Sequence, residues 1–164
     1  MIGNILLIGM CGTGKTWVMK SLIRERKVLK RQKICKLYFH SNDDLIVLGK
    51  YDGSLFEGSD RLSMSAITDI SLLLQVKKEK IVIAEGDRFM NSTYINKMNP
   101  VIIKIRGDGK KGRELRGSNQ TERHLKSVST RVSNINANFI VENSVDALKL
   151  INKLIDEGYD KGQK

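Results

Sequence analysis

Short apolar runs recur along the chain, each followed by a turn signal or an amphipathic stretch. Residues 4–9 (NILLIG), 33–40 (KICKLYFH), 81–84 (IVIA), 101–105 (VIIKI) and 138–141 (NFIV) read as five strands. Continuous β-branched and leucine runs of this length suit parallel strands covered on both faces. Between them the period lengthens to that of a helix. Residues 15–25 follow the first strand as a helix. Residues 61–78 carry Leu62, Ile67, Ile70, Leu73 and Leu74 behind Asp60 as a cap. Residues 145–157 carry Leu148, Ile151, Leu154 and Ile155, with Ser144 as start and Gly158 as stop. The alternation predicts an α/β fold: a doubly wound, mainly five-stranded parallel sheet with right-handed crossovers, in one domain over residues 1–164. Ligands of such sheets bind beyond the carboxyl ends of the strands.

Composition narrows this little. The 164 residues are 40% hydrophobic, with a single proline, Pro100, and no repeat or low-complexity block. No apolar run approaches the ~20 residues of a membrane span, and the amino terminus does not read as a secretory signal. Two cysteines, Cys11 in a glycine-rich loop and Cys35 in the expected second strand, make no disulfide framework. These features predict a cytoplasmic protein without membrane partners. Charge changes the picture more. Of the net +11, residues 20–36 hold +7 and residues 104–131 hold +6, leaving the rest at −2. Clustered Lys and Arg suit a polyanionic partner such as a nucleic-acid backbone, whereas solubility and ATP are the plainer explanations of the two clusters.

The chemistry begins at Gly9. Residues 9–16 (GMCGTGKT) match G-x-x-x-x-G-K-[ST] in full, with an apolar strand before and a helical pattern after. Glycines such as Gly12 and Gly14, with Thr13 between them, let successive backbone N–H groups surround phosphates. The helix N-terminus points at the same anion. Lys15 is placed to reach the β- and γ-phosphates of ATP, and the Thr16 hydroxyl to ligate Mg²⁺. Cys11 reads as a small space-filler rather than a redox centre. Trp17 is either a stacking partner for a base or core.

After the third expected strand come Glu85-Gly86-Asp87-Arg88-Phe89. An acid at the carboxyl end of a buried strand is where phosphate-loop enzymes hold Mg²⁺. Glu85 is the candidate metal ligand and Asp87 a candidate catalytic group, though sequence does not decide between them. Arg88 is placed to neutralise a transferring phosphoryl group. Residues 106–134 read as a basic lid, a Gly/Lys/Arg loop running into a helix over residues 120–134. One edge of that helix is apolar (Leu125, Val128, Val132, Ile135) and the other carries Arg123, Lys126 and Arg131. Such a lid can close over ATP and set Arg123 and Arg131 beside its γ-phosphate. On the acceptor side, a carboxylate near the end of the second strand would take the acceptor's proton, with Asp43 and Asp44 as candidates. Asp60 and Arg61 would bind the acceptor's polar groups. Turn chemistry accounts for Asp43, Asp44 and Asp52 equally well.

With these residues the chain resembles the small P-loop nucleoside and nucleotide kinases, through its Walker loop, its acidic Glu85–Arg88 turn and its arginine-rich lid. The turn is similar to the acid-Gly-x-Arg and Asp-Arg-aromatic motifs of that family, with a spacing that matches neither in full. More narrowly, residues 58–64 (GSDRLSM), residues 119–123 (NQTER) and Arg131 look similar to phage-encoded kinases, some of which phosphorylate 5-hydroxymethyluridine within DNA. The resemblance implies the P-loop kinase fold, ATP and Mg²⁺ as cofactors, and transfer to a hydroxyl on DNA in the host cytoplasm. The alternatives are a kinase of free nucleosides or nucleoside monophosphates, a polynucleotide-end kinase, and a nucleotide-dependent DNA-binding protein without transfer.

Overall fold

In the computed structural model, residues 3–53 and 57–158 are described, the side chain of Asp60 excepted. In chain order the elements are β1 (Ile5–Ile8), α1 (Lys15–Glu25), β2 (Lys30–Ile34), β3 (Leu37–Ser41) and β4 (Leu45–Leu48). Two 3-10 turns, Ser59–Arg61 and Met64–Asp69, lead into α2 (Ile70–Val76) and β5 (Ile81–Glu85). A third turn, Asp87–Phe89, precedes α3 (Ser92–Met98), β6 (Val101–Ile105), α4 (Lys110–Leu115), α5 (Glu122–Asn134), β7 (Phe139–Val141) and α6 (Ser144–Glu157).

The strands form one seven-stranded sheet in the order β2-β3-β4-β5-β1-β6-β7. From β4 to β7 the neighbours pair in parallel, whereas β2–β3 and β3–β4 are antiparallel. β1 is central because it can be: all four of its side chains are apolar and 0% exposed. Alternation along the strand splits them between two cores. Ile5 and Leu7 meet Val18, Met19 and Leu22 of α1 with Ala147 and Ile151 of α6, while Leu6 and Ile8 share the other core with Leu73, Tyr94, Val128 and Val132. Helices therefore cover both faces, as the α/β reading expects.

The mainly five-stranded parallel sheet is corrected to a mixed one. Residues 33–40 are not one strand but the turn and arms of a hairpin, reversed at Cys35 (φ 50°) and Lys36. Cys35 therefore sits in an exposed turn rather than a strand. The strand that joins the parallel set on this side is β4, the run Leu-Ile-Val-Leu, paired to β5 through Leu45–Ile81 and Val47–Ile83. The helix expected over residues 61–78 shortens to α2 with a 3-10 lead, and Ser63, not Asp60, caps that lead by accepting from the Ser65 N–H. At α6 the cap is Asn143 rather than Ser144. Among the described residues, no helix is long and apolar enough to cross a membrane.

Candidate functional site

β1 delivers the glycine loop to the carboxyl edge of the sheet, and α1 begins at Lys15, where sequence places it. Gly12 (φ 89°) and Gly14 (φ 90°) take the left-handed backbone that the turn requires. Gly14 also has no room for a side chain, because a carbon added there would lie 2.8 Å from Ser144 Cβ at the start of α6. Thr13 Oγ1 donates to Met10 O at 2.8 Å and braces the loop. Lys15 Nζ donates to Gly9 O (3.0 Å) and Met10 O (2.9 Å), so the ammonium group lies across the loop itself. A cation, a helix N-terminus and a positive-φ turn in one place make a cradle for an anion.

The lid lies directly on this loop, backbone against backbone. The stretch expected as a glycine-rich loop contains α4. A carbon added to Gly109 would fall 1.9 Å from Cys11 O, one added to Gly112 would fall 1.9 Å from Gly12 O, and one added to Gly12 would fall 2.3 Å from Gly109 O. No other residue fits at these three contacts. Arg113 reinforces them by donating from Nη1 to Cys11 O at 2.8 Å. From α5, Arg131 pairs with Asp87, so the lid also grips the acidic turn.

Glu85 closes β5 and is 4% exposed. Its Oε1 accepts from the Tyr51 hydroxyl at 3.2 Å. A carbon built on Gly58 would lie 2.6 Å from Glu85 Oε1 and 3.5 Å from Thr16 Oγ1, so both oxygens converge on one spot. Beside it, a carbon built on Gly86 would lie 2.9 Å from Ser59 Oγ and 3.9 Å from Lys15 Cε. Ser59 is 1% exposed and its hydroxyl has no partner among the described residues. No cluster of three His, Cys, Asp or Glu side chains forms a metal cage among the described residues. One carboxylate and one hydroxyl fit Mg²⁺, which keeps most of its waters and takes the rest of its ligands from phosphates.

The acceptor side differs from the expectation most. Asp43 and Asp44 sit in the exposed turn before β4, and Asp44 O accepts from the N–H of Ile81 where β5 begins. They are thus at the amino ends of the parallel strands, opposite the glycine loop. The physical reason is the hairpin: β3 runs antiparallel, so its carboxyl end leaves the site instead of entering it. The segment after β4 enters instead. Lys50 and Gly58 bond to each other's backbone at 3.2 and 2.7 Å, and Arg61 holds Asp52 with contacts of 3.0 and 2.7 Å. Between this segment and the hairpin lies a cavity of about 400 Å³, lined in part by Arg31, Lys33, Tyr38, His40, Tyr51 and Asp52. Tyr51 joins that cavity to Glu85. His40 accepts from the Tyr51 N–H at 3.3 Å through Nε2. Burial, and secondarily the charge of Arg31, pushes its imidazole below the ordinary value, which keeps Nε2 free to accept. The hydrogen bond with Lys33 draws the Tyr38 phenol down, with Lys50 adding to the effect.

Of the other expected residues, Arg88 donates from Nε to Leu62 O at 3.1 Å and from Nη1 to Met64 Sδ, toward the Ser59–Met64 segment. Arg123 is exposed near the start of α5. Trp17 is 46% exposed, which rules out its core reading. The Asp60 side chain lies outside the described residues. Sequence reasoning passed over Tyr51 and Gly112, and met Gly58 and Ser59 only within the resemblance at residues 58–64. One signal was available: Leu-Ile-Val-Leu-Gly at residues 45–49 echoes Leu-Leu-Ile-Gly at residues 6–9, a second strand that ends in glycine at the same edge. In comparisons with known proteins, no family model matches the chain and no curated protein matches it significantly.

Proposed function

We propose that the chain is an ATP-dependent, P-loop-type phosphotransferase that moves the γ-phosphate to a hydroxyl on a nucleic acid, with 5-hydroxymethyluridine in DNA as the leading acceptor. The carrying observation is the convergence of Lys15, Thr16, Glu85 and Ser59 beside a glycine loop at the carboxyl edge of the sheet. Thr16 and Glu85 would hold Mg²⁺, directly or through water. When bound, the metal would supply positive charge that offsets the charge developing on the phosphates. Lys15 would exchange its two carbonyl partners for phosphate oxygens. The lid would exclude water, Arg131 would be presented beside Asp87, and Arg123 would add its charge from the same helix. With Asp43 and Asp44 at the far end of the sheet, Asp52 becomes the carboxylate placed to accept the acceptor's proton, because it lines the cavity and Arg61 fixes its orientation.

A second reading, a kinase of free nucleosides or monophosphates, is favoured by one observation: the cavity, at about 400 Å³, is of small-ligand size. Salt separates the two readings. Affinity for a nucleic-acid acceptor should fall steeply as salt rises, in proportion to the phosphates contacted. A KM for the acceptor that is flat in salt, with free nucleosides used as well as DNA, would select the second reading.

A further inference from the structure

β2 is an edge strand whose residues Lys30 to Lys33 are all exposed, and three of the four are cationic. Charge on an edge commonly serves only to block pairing with another sheet. Here it is organised. Arg31 pairs across the hairpin with His40 and Lys33 with Tyr38, so these four side chains share one face. His40 in turn pairs with Val47, which belongs to the core beneath α1. The face is therefore the α1 side of the sheet, and past α1 it is the wall of the cavity that reaches Tyr51. Lys50 joins from the segment after β4. Its Nζ lies 3.9 Å from the centre of the Tyr38 ring, and that of Lys33 lies at 4.8 Å, so one aromatic plate spaces two ammonium groups. Arg61 in the same wall is neutralised by Asp52. Arg31, Lys33 and Lys50 form no ion pair among the described residues.

We infer that this hairpin face is the docking surface for a polynucleotide strand, with successive phosphates on Arg31, Lys33 and Lys50 and the acceptor unit entering the cavity against Tyr51. The inference rests on the phosphotransferase reading for its purpose, but not for its geometry. Three cations without an ion pair among the described residues, two on β2 and one on the segment after β4, outnumber what one mononucleotide phosphate needs, and all three line the cavity that Tyr51 also lines. A backbone supplies that spacing of charge.

The test is binding without ATP: fluorescence anisotropy of a labelled single-stranded DNA of about 12 nucleotides, titrated over a range of salt. The triple variant Arg31→Ala/Lys33→Ala/Lys50→Ala should weaken binding at least tenfold. It should also lower the slope of log K against log salt by about 2, from ~0.7 per lost phosphate contact. Affinity for a fluorescent ATP analogue should stay unchanged. Arg31→Gln/Lys33→Gln, at two exposed positions, should show an intermediate loss with the melting temperature of the wild type. Unchanged DNA affinity and slope in both variants would overturn the inference. So would displacement of the DNA by thymidine monophosphate at equal concentration, which would make the face a mononucleotide pocket. Because the assay contains no ATP, DNA binding that depends on these residues would stand even if no acceptor were ever phosphorylated.

Discussion

On the proposed reading, the two halves of the sheet would recognise charge by different means. Around β1 every strand side chain is apolar and buried, and the proposed phosphate site is held there by a positive-φ glycine turn together with Lys15, Thr16 and Glu85. At the β2–β3 end the edge strand β2 is exposed, and the cavity beside it is lined by arginine, lysine, tyrosine and histidine side chains. The first arrangement has little freedom to lose and suits a compact anion at one point. The second spreads its cations on flexible stems, which suits an extended and variable partner. Phosphate transfer needs both, a rigid donor site and a tolerant acceptor surface. Tyr51 and Glu85 join the two.

That contrast can be broken by substitution, and the largest effect belongs to the rigid half. Lys15→Ala should reduce phosphoryl transfer by at least about a hundredfold, measured as labelled phosphate transferred, while DNA binding to the hairpin face persists. Next comes the lid. Alanine favours helices over glycine by about 1 kcal/mol, so Gly112→Ala would stabilise α4 if the helix stood free. With Gly12 O 1.9 Å from the added carbon, it should instead force the lid off the loop and lower turnover. A Gly112→Ala protein that melts higher and works as well as wild type would refute the backbone contact.

Asp52→Asn tests the tolerant half. Turnover should fall by roughly a hundredfold if Asp52 takes the proton, with ATP affinity unchanged; loss of ATP binding as well would place Asp52 elsewhere. The smallest effect concerns His40. Its imidazole lies below the ordinary value of 6.5, so the unfolded chain takes up the proton first. The stability it contributes is complete above about that value and is lost as pH falls through and below it. Arg31, Asp52 and Glu57 are the charges that act on it. Melting temperature should therefore decline between pH 6.5 and 5, and His40→Gln should flatten that decline.

What could be read from the chain follows the same division. The loop at Gly9–Thr16, α1 and the Glu85 turn are local, each specified by neighbours in sequence, and the structure keeps them together. The acceptor side is assembled from β2, β3 and the segment after β4, whose contacts depend on strand direction. That direction turns on Cys35 and Lys36, which carry none of the glycine, asparagine or aspartate that usually mark a hairpin. With the turn invisible, β3 pointed the wrong way, and Asp43 and Asp44 were assigned to an end of the sheet they do not occupy. The docking of Gly109 and Gly112 on the loop, about a hundred residues away in sequence, has no local signature at all.

Proposed transfer to a base within a strand is tested by where the product carries its label. The protein would be incubated with γ-labelled ATP, Mg²⁺ and three acceptors: duplex DNA containing 5-hydroxymethyluridine, ordinary duplex DNA, and a pool of free nucleosides and monophosphates. Label at internal positions of the modified DNA alone is the predicted result. Label confined to the small-molecule pool would contradict it and leave the hairpin's charge without a substrate.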